Sequence, residues 1–465
     1  MRTRTHRSAL LAASLALAAC AGTEGRIVPE AEMPAAFTAS GEQAQPARWW
    51  RSFEDPELDR LVGAALAGNP SLRATWDRLA QARAVARREG AALGPEIDAS
   101  ADASTSWRRP GHDSDSLSLG LAARYEVDLW GRIRAATDAA RLDAEAASAD
   151  RDTAAITLVA NLADAWYELV EQRGQLALLQ EQIAVNEQVL ELVTLRFRQG
   201  RAGAADVLRQ RQLLEQTRGN TEDVSSRIAV LEHLLAILTG RAPGGLALPA
   251  RAALQAPPPL PSTGLPSALL QRRPDVRSAY IAVGAANSRL AVAIAEQYPR
   301  IDLSASLSTV ATAPGDLFSR WLASLAGQIV GPLIDSGRRA AEVERNRAVV
   351  SERLNAYEDA VLTALGEVED ALARERRQRD KVASLERQVA LADQVIERLR
   401  NRYTQGATDY IDVLTALASQ QSAARQLLTA RRALIGFRIE LARALAGGWE
   451  LSPPPPRVLA EAARR

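Results

Sequence analysis

Two residue types are almost missing from this chain of 465 residues, which has one cysteine, Cys20, and one lysine, Lys381. A lone cysteine excludes an internal disulfide and a thiolate metal cluster built from one chain. The basic side chains are therefore arginines, and 57 basic against 56 acidic residues leave a net charge of +1. So close a balance favours neither nucleic acid nor an anionic membrane face as a partner. The three histidines, His6, His112 and His233, show no metal-binding spacing, and there is no nucleophile motif or phosphate loop. Nothing here supports an enzyme, a metal or a cofactor.

The amino terminus reads as a targeting segment. Arg2, Arg4 and Arg7 precede a short apolar core, Ser8 to Ala19, too short to cross a bilayer as a helix. The core closes on Leu17-Ala18-Ala19-Cys20, which resembles the lipobox of bacterial lipoproteins. That resemblance makes 1–19 a signal peptide and Cys20 a lipidated first residue, and Ala21 implies sorting to the outer membrane.

What is abundant is repetition. Arg196-Phe197-Arg198-Gln199-Gly200 followed by Asp206-Val207-Leu208 is matched by Arg402-Tyr403-Thr404-Gln405-Gly406 followed by Asp412-Val413-Leu414, a shift of 206 residues. Gly94-Pro95-Glu96-Ile97-Asp98 is likewise matched by Tyr298-Pro299-Arg300-Ile301-Asp302. A period this long is the duplication of a whole architectural unit.

Each copy carries strands with period-two alternation, near 97–107 and 117–130 in the first and near 301–310 and 322–334 in the second. Ile97, Ala99, Ala101 and Ala103 alternate with Asp98, Ser100, Asp102 and Ser104; Ile301, Leu303, Ala305 and Leu307 alternate with Asp302, Ser304, Ser306 and Ser308. About 9–11 residues is the length a tilted strand needs to cross a bilayer, although alternation alone also fits a soluble sandwich. Four strands are too few to close a barrel, and an open edge in lipid strands its backbone groups. If these strands span a membrane, several chains share one barrel. Three would give about twelve strands; two or four are also permitted.

Helix dominates the remainder. A run of about 60–70 residues, close to 100 Å, is expected after Gly131, and a second after Gly337. Leu158, Leu162, Ala165, Leu169, Leu176, Leu179, Ile183, Leu190, Val193 and Phe197 keep three-four spacing, interrupted by Gln172 and Asn186; Val382, Leu385, Val389, Ala392, Ile396, Leu399 and Tyr403 repeat the phase. Such spacing is that of a coiled coil. Each run turns at a glycine, Gly200 or Gly406, and returns through a shorter helix. The organisation expected is thus a lipidated segment 20–68, a first repeat 69–250, a proline-rich linker 251–265, a second repeat 266–447 and a tail 448–465.

The chain resembles the outer-membrane efflux protein family, the TolC type, and especially its OprM-like lipoprotein branch. The residues that carry this are Trp49-Trp50 with Phe53 and Asp55-Pro56, Gln81-Ala82-Arg83-Ala84, Tyr125 to Arg132, Gly264-Leu265-Pro266-Ser267 and Arg272-Arg273-Pro274-Asp275. The resemblance implies an α+β membrane protein, a homotrimer whose twelve-stranded barrel stands on a long helical tunnel. It implies docking to a periplasmic adaptor and an inner-membrane pump, with Arg196, Gly200, Arg402 and Gly406 at the docking tips. By the same resemblance Asp206 and Asp412 ring the closed entrance and Tyr403 belongs to the gate. The alternative for the aspartates is local, at the positive starts of the returning helices; for Tyr403 it is a coil core position. Arg196 and Arg402 could instead pair with nearby acids. The family's gate arginine is replaced by Thr408, beside which Asp409 and Tyr410 are candidate substitutes. Rival functions are a protein-secretion duct on the same fold and a periplasmic coiled-coil lipoprotein without a pore. Cys20→Ser is expected to abolish lipid labelling of the chain, and persistent labelling would contradict the anchor.

Overall fold

The computed structural model describes residues 33–107, 111, 114–446 and 451. The signal peptide, Cys20, His112 and nearly all of the tail 448–465 lie outside the described residues. Helices α1 (Pro56–Gly68) and α2 (Pro70–Ala91) lead into strands β2 (Glu96–Ser106) and β3 (Ser114–Glu126). The long helix α3 (Arg132–Arg198) and its return α4 (Ala204–Leu238) complete the first repeat. The second runs through α5 (Pro266–Arg272), α6 (Pro274–Ala295), β5 (Arg300–Ala311), β6 (Leu322–Val330), α7 (Arg338–Thr404) and α8 (Tyr410–Ala444). Both long helices have 67 residues and both returns have 35, so the duplication is kept to the residue.

The four long strands form one antiparallel sheet ordered β2-β3-β5-β6. Its register, with Ile97 opposite Ala123, Leu121 opposite Leu307 and Ile301 opposite Ile329, gathers most of the apolar residues on one face, although Val310, Leu322 and Val330 fall on the other. Asp98, Asp102, Arg124, Asp302, Ser304 and Gln328 share the other. β2 and β6 are the sheet's edges, and among the described residues their outer backbone groups have no strand partner. Strand limits differ from the sequence reading in two places. β3 starts earlier and ends at Glu126, because Asp128 turns to cap α3, accepting from the N–H groups of Ile133 at 2.9 Å and Arg134 at 3.0 Å. β6 stops at Val330 because Gly331 and Pro332 break the ladder. Leu333 and Ile334 beyond it are almost fully exposed.

Within the amino-terminal segment 20–68, residues 49–68 join the helical core, a packing to which the sequence reading assigned no structure. Asp55 caps α1 from a side chain with no exposure, accepting from the N–H groups of Glu57 and Leu58. Pro56 at the first position fits a helix start, and Leu58, Leu61, Val62 and Ala65 then fall on one buried face. Asp55 also accepts from Trp166 Nε1 at 2.9 Å and pairs with Arg251 at 2.8 Å. Trp49, Phe53 and Tyr167 complete this core. A two-residue strand β1 (Gln43–Ala44) runs parallel to β4 (Pro261–Ser262), so the amino-terminal segment is stitched to the linker.

The linker is extended, as its prolines require. Arg173 of α3 donates to the carbonyl of Pro249 just before it, and Arg438 of α8 donates to that of Pro258 within it. Arg438 is buried against Glu375 of α7, with Nε 2.8 Å from a carboxylate oxygen. Among the described residues α6 alone is long and apolar enough to cross a membrane; it packs against α3 and α7 instead. Glu375→Ala would leave Arg438 buried without its countercharge, and a loss of about 3–5 kcal/mol is expected. Urea titration of the helical signal measures it, and a midpoint equal to wild type would contradict the assignment.

Candidate functional site: the helix tips and the sheet

The ends of the two hairpins are built alike. At the first, Gly200 N–H donates to Phe197 O at 2.9 Å and Arg201 N–H to Arg196 O at 2.8 Å; at the second, Gly406 donates to Tyr403 O at 3.0 Å and Ala407 to Arg402 O at 2.9 Å. This paired closure needs a left-handed residue, and φ is +70° at Gly200 and +75° at Gly406. A Cβ at either would meet nothing within 4 Å, so conformation, not crowding, demands glycine.

Side chains then make the tips unequal. Tyr403 is buried while its counterpart Phe197 is 45% exposed. The Arg196 guanidinium lies 4.2 Å from the centre of the Tyr403 ring, and Nη1 donates to the Tyr403 carbonyl at 2.7 Å. A tyrosine–arginine contact is therefore present, with an arginine from the first repeat rather than from the position of Thr408. Arg196 thus has partners other than the acids or adaptor expected for it. Tyr410 packs 5.5 Å from Tyr403 and donates its hydroxyl to Gln210 Oε1 at 2.6 Å. Burial pushes the hydroxyl pKa of both tyrosines above the ordinary value.

The aspartates have local partners as well. Asp206 accepts from the Gly203 N–H at 3.1 Å and sits 3.4 Å from Arg209, while Asp412 accepts from the Thr408 hydroxyl at 2.7 Å. Asp409 starts α8 without a side-chain cap and is exposed. Arg402 is exposed too, and among the described residues its side chain reaches the Ala407 carbonyl at 3.2 Å.

Two features escaped the sequence reading. Behind the tips, a polar seam replaces a purely apolar coil. Asn186, an interruption in the heptads, is fully buried, donating to Thr217 Oγ1 at 3.1 Å and accepting from Gln421 at 3.0 Å. Gln182 donates to the Gln421 carbonyl at 3.1 Å and Gln175 to that of Arg425 at 3.0 Å. Glu171 is buried there with Gln175 and Thr429 as donors. The second is a pair of aromatic belts. At the helix end of the sheet Trp130 stacks 4.8 Å from Tyr298 and donates to the Pro299 carbonyl at 2.7 Å. At the loop end Trp107 follows β2 and is 80% exposed, and Phe318 and Trp321 lie between β5 and β6 with their rings 6.3 Å apart. Belts of Trp and Tyr at both ends of an apolar sheet face are the mark of a membrane-crossing strand set.

An apolar-out, polar-in sheet with aromatic ends, rooted on helices of about 100 Å, defines a channel of the outer membrane. The chain belongs to the outer membrane efflux protein family, whose model matches residues 61–241 and 265–447. It is 32% identical over 468 residues to the pyoverdine export outer membrane protein OpmQ of Pseudomonas aeruginosa, covering 95% of this chain and 96% of that one. The cation efflux system protein CusC of Escherichia coli is 27% identical, covering 94% and 97%. Among solved structures, the outer-membrane channel OprN superposes with a TM-score of 0.83 at 28% identity, over 90% of this chain and 99% of that one. The open state of the MtrE outer membrane channel of Neisseria gonorrhoeae gives 0.83 at 26%, over 93% and 98%. The chain is thus an outer-membrane efflux channel.

Tyr410→Phe removes one hydroxyl and leaves buried Gln210 Oε1 unpaired. A local loss of about 1–3 kcal/mol is expected, read as faster amide exchange in the first turns of α4 and α8. Unchanged exchange would show that the hydroxyl is not a tie between the hairpins.

Proposed function

We propose that three copies of this chain close one barrel of about twelve strands and work as the passive exit duct of a tripartite efflux system. The observation that carries the reading is the pair of open edges on an apolar, aromatic-ended sheet. Unpaired N–H and C=O groups cannot face hydrocarbon, so β2 of one copy pairs with β6 of the next. The polar sheet face, with Asp98, Asp102, Arg124 and Glu126, then lines a wet lumen. The lipid on Cys20 anchors the amino-terminal segment to the same membrane.

The hairpin tips form the entrance. Asp206 and Asp412 from three copies place about six carboxylates around a narrow opening, where they attract cations and repel one another. Their bonds to Gly203 and Thr408 are compatible with this, because a carboxylate has acceptor capacity to spare. Opening follows binding of a periplasmic adaptor that links the duct to an inner-membrane pump, since a partner shifts a closed–open balance only by its differential affinity. Arg402, Gly200 and Gly406 are the docking points; Arg196, engaged inward, stiffens the tip behind them, and Asp409 lies exposed beside them.

The relatives carry different cargoes in their names: pyoverdine for OpmQ, cations for CusC and toluene for TtgF of Pseudomonas putida, which is 30% identical over 420 residues. Such variety on one architecture fits small-molecule export in which the pump, not the duct, selects. Asp206→Ala combined with Asp412→Ala is expected to raise single-channel conductance or weaken block by divalent cations in planar bilayers. Conductance and block identical to wild type would remove the carboxylates from the gate.

A further inference from the structure

Among the described residues the buried carboxylates are Asp55, Glu171 and Glu375. Asp55 is paired with Arg251, and Glu375 with Arg438 and Arg379. Glu171 of α3 is 3% exposed and makes no ion pair among the described residues. Its donors are neutral: Gln172 Nε2 at 2.6 Å, Gln175 Nε2 at 2.8 Å and the hydroxyl of Thr429, on α8, at 3.0 Å. The arginines within about one turn of Glu171 or Thr429 are committed elsewhere. Arg173 pairs with Glu232, Arg432 with Asp164 and Arg431 with Glu386, while Arg425 donates to Gln182 at 2.6 Å. The burial is produced within a single chain, which also keeps the side chains of another copy away.

The next turn of α3 carries a second unmet need. Gln175 is 6% exposed, and its Nε2 faces three oxygens: Glu171 Oε1 at 2.8 Å, the Arg425 carbonyl at 3.0 Å and Thr429 Oγ1 at 3.1 Å. An amide nitrogen has only two hydrogens to share among them. The amide oxygen, Gln175 Oε1, is buried and has no hydrogen-bond partner. A carboxylate without countercharge and an amide oxygen without a donor thus stand one turn apart in the same seam. Buried charges are paired or bind a metal ion. A water would serve the amide oxygen but leave the carboxylate uncompensated.

We infer that Glu171, Gln175 and Thr429 hold a monovalent cation, sodium in kind, between α3 and α8. The groups on offer are oxygens, the ligands that hard cations take. One carboxylate matches one charge, and among the described residues no three His, Cys, Asp or Glu side chains gather to hold a metal ion. The site lies about 40 Å of helix from the turn at Gly200, well away from the tips. It is contained in one protomer, so it does not depend on how many copies close the barrel. Its work is to clamp the first repeat to the second partway along the helical bundle. The duplication offers a comparison: the position matching Gln175 in the second repeat holds Lys381, the chain's only lysine. There the cation is covalent.

Urea unfolding of the full chain, followed by its helical signal, tests the site with sodium chloride against choline chloride at equal ionic strength. With sodium at about ten times its dissociation constant, the folded-to-unfolded ratio of the wild type should rise about tenfold. Glu171→Gln keeps the shape and removes the charge, and should lose the response. Gln175→Lys brings an ammonium to the carboxylate and should lose it too. Equal wild-type stability in the two salts would overturn the inference, as would an undiminished sodium response in both variants. Wild-type crystals soaked in thallium(I) locate the ion without relying on a variant that folds. An anomalous peak beside Glu171 and Gln175 is expected, and soaked crystals without one would contradict the site.

Discussion

The whole molecule turns on backbone hydrogen bonds that one chain cannot complete. A sheet of four strands with an apolar face belongs in hydrocarbon, yet among the described residues the outer N–H and C=O groups of β2 and β6 have no strand partner. Water would satisfy them; lipid does not. The edges therefore have to meet edges of other copies, and the barrel exists only as an assembly. From that follows the arrangement of the helices. Each strand pair is continuous in sequence with a 67-residue helix, so a ring of strand pairs carries a ring of long helices on one side. Duplication of one strand-and-hairpin unit suffices to supply both rings.

Within the helical part, stability and specificity are divided between two kinds of core. Around Trp49, Phe53, Leu61, Trp166 and Tyr167 the packing is apolar and aromatic, with the carboxylate of Asp55 fully buried among them. Toward the tips the seam becomes polar, through Glu171, Gln175, Gln182, Asn186 and Gln421. A buried amide in a coil costs stability but penalises every register in which it lacks a partner. Two hairpins of equal length and similar heptad phase could pair out of step; these amides fix one alignment. The same reasoning explains why duplication did not leave equal tips. Tyr403 turned inward onto Arg196 and Tyr410, whereas Phe197 remained outside.

Much of this was written plainly in the chain. Alternation of Ile, Ala and Leu with Asp and Ser marked the strands, because period two admits few other structures. Gly200 and Gly406, each closing a repeated string, marked the helix reversals. The limits of β3 and β6 were less legible, since Asp128 and Pro332 end strands whose apolar pattern runs on to Leu129 and Ile334. Residues 49–68 were legible in principle: Asp55-Pro56 is a helix start and Leu58, Leu61, Val62 and Ala65 form a stripe. The polar seam was not, because glutamine on a long helix reads as a solvated face until the neighbouring helix is in place. Nor could sequence pair Arg196 with Tyr403, which lie 207 residues apart and meet only when the two hairpins lie side by side.

The central claim is that the open edges of this sheet are closed by other copies of the same chain. The direct measurement is the number of chains in the complex extracted from outer membranes in mild detergent, by native mass spectrometry. Three chains per particle, with the barrel's heat resistance lost when they separate, is the result expected. A single chain that keeps a closed, heat-resistant barrel by itself, or a particle of two or four chains, would contradict it.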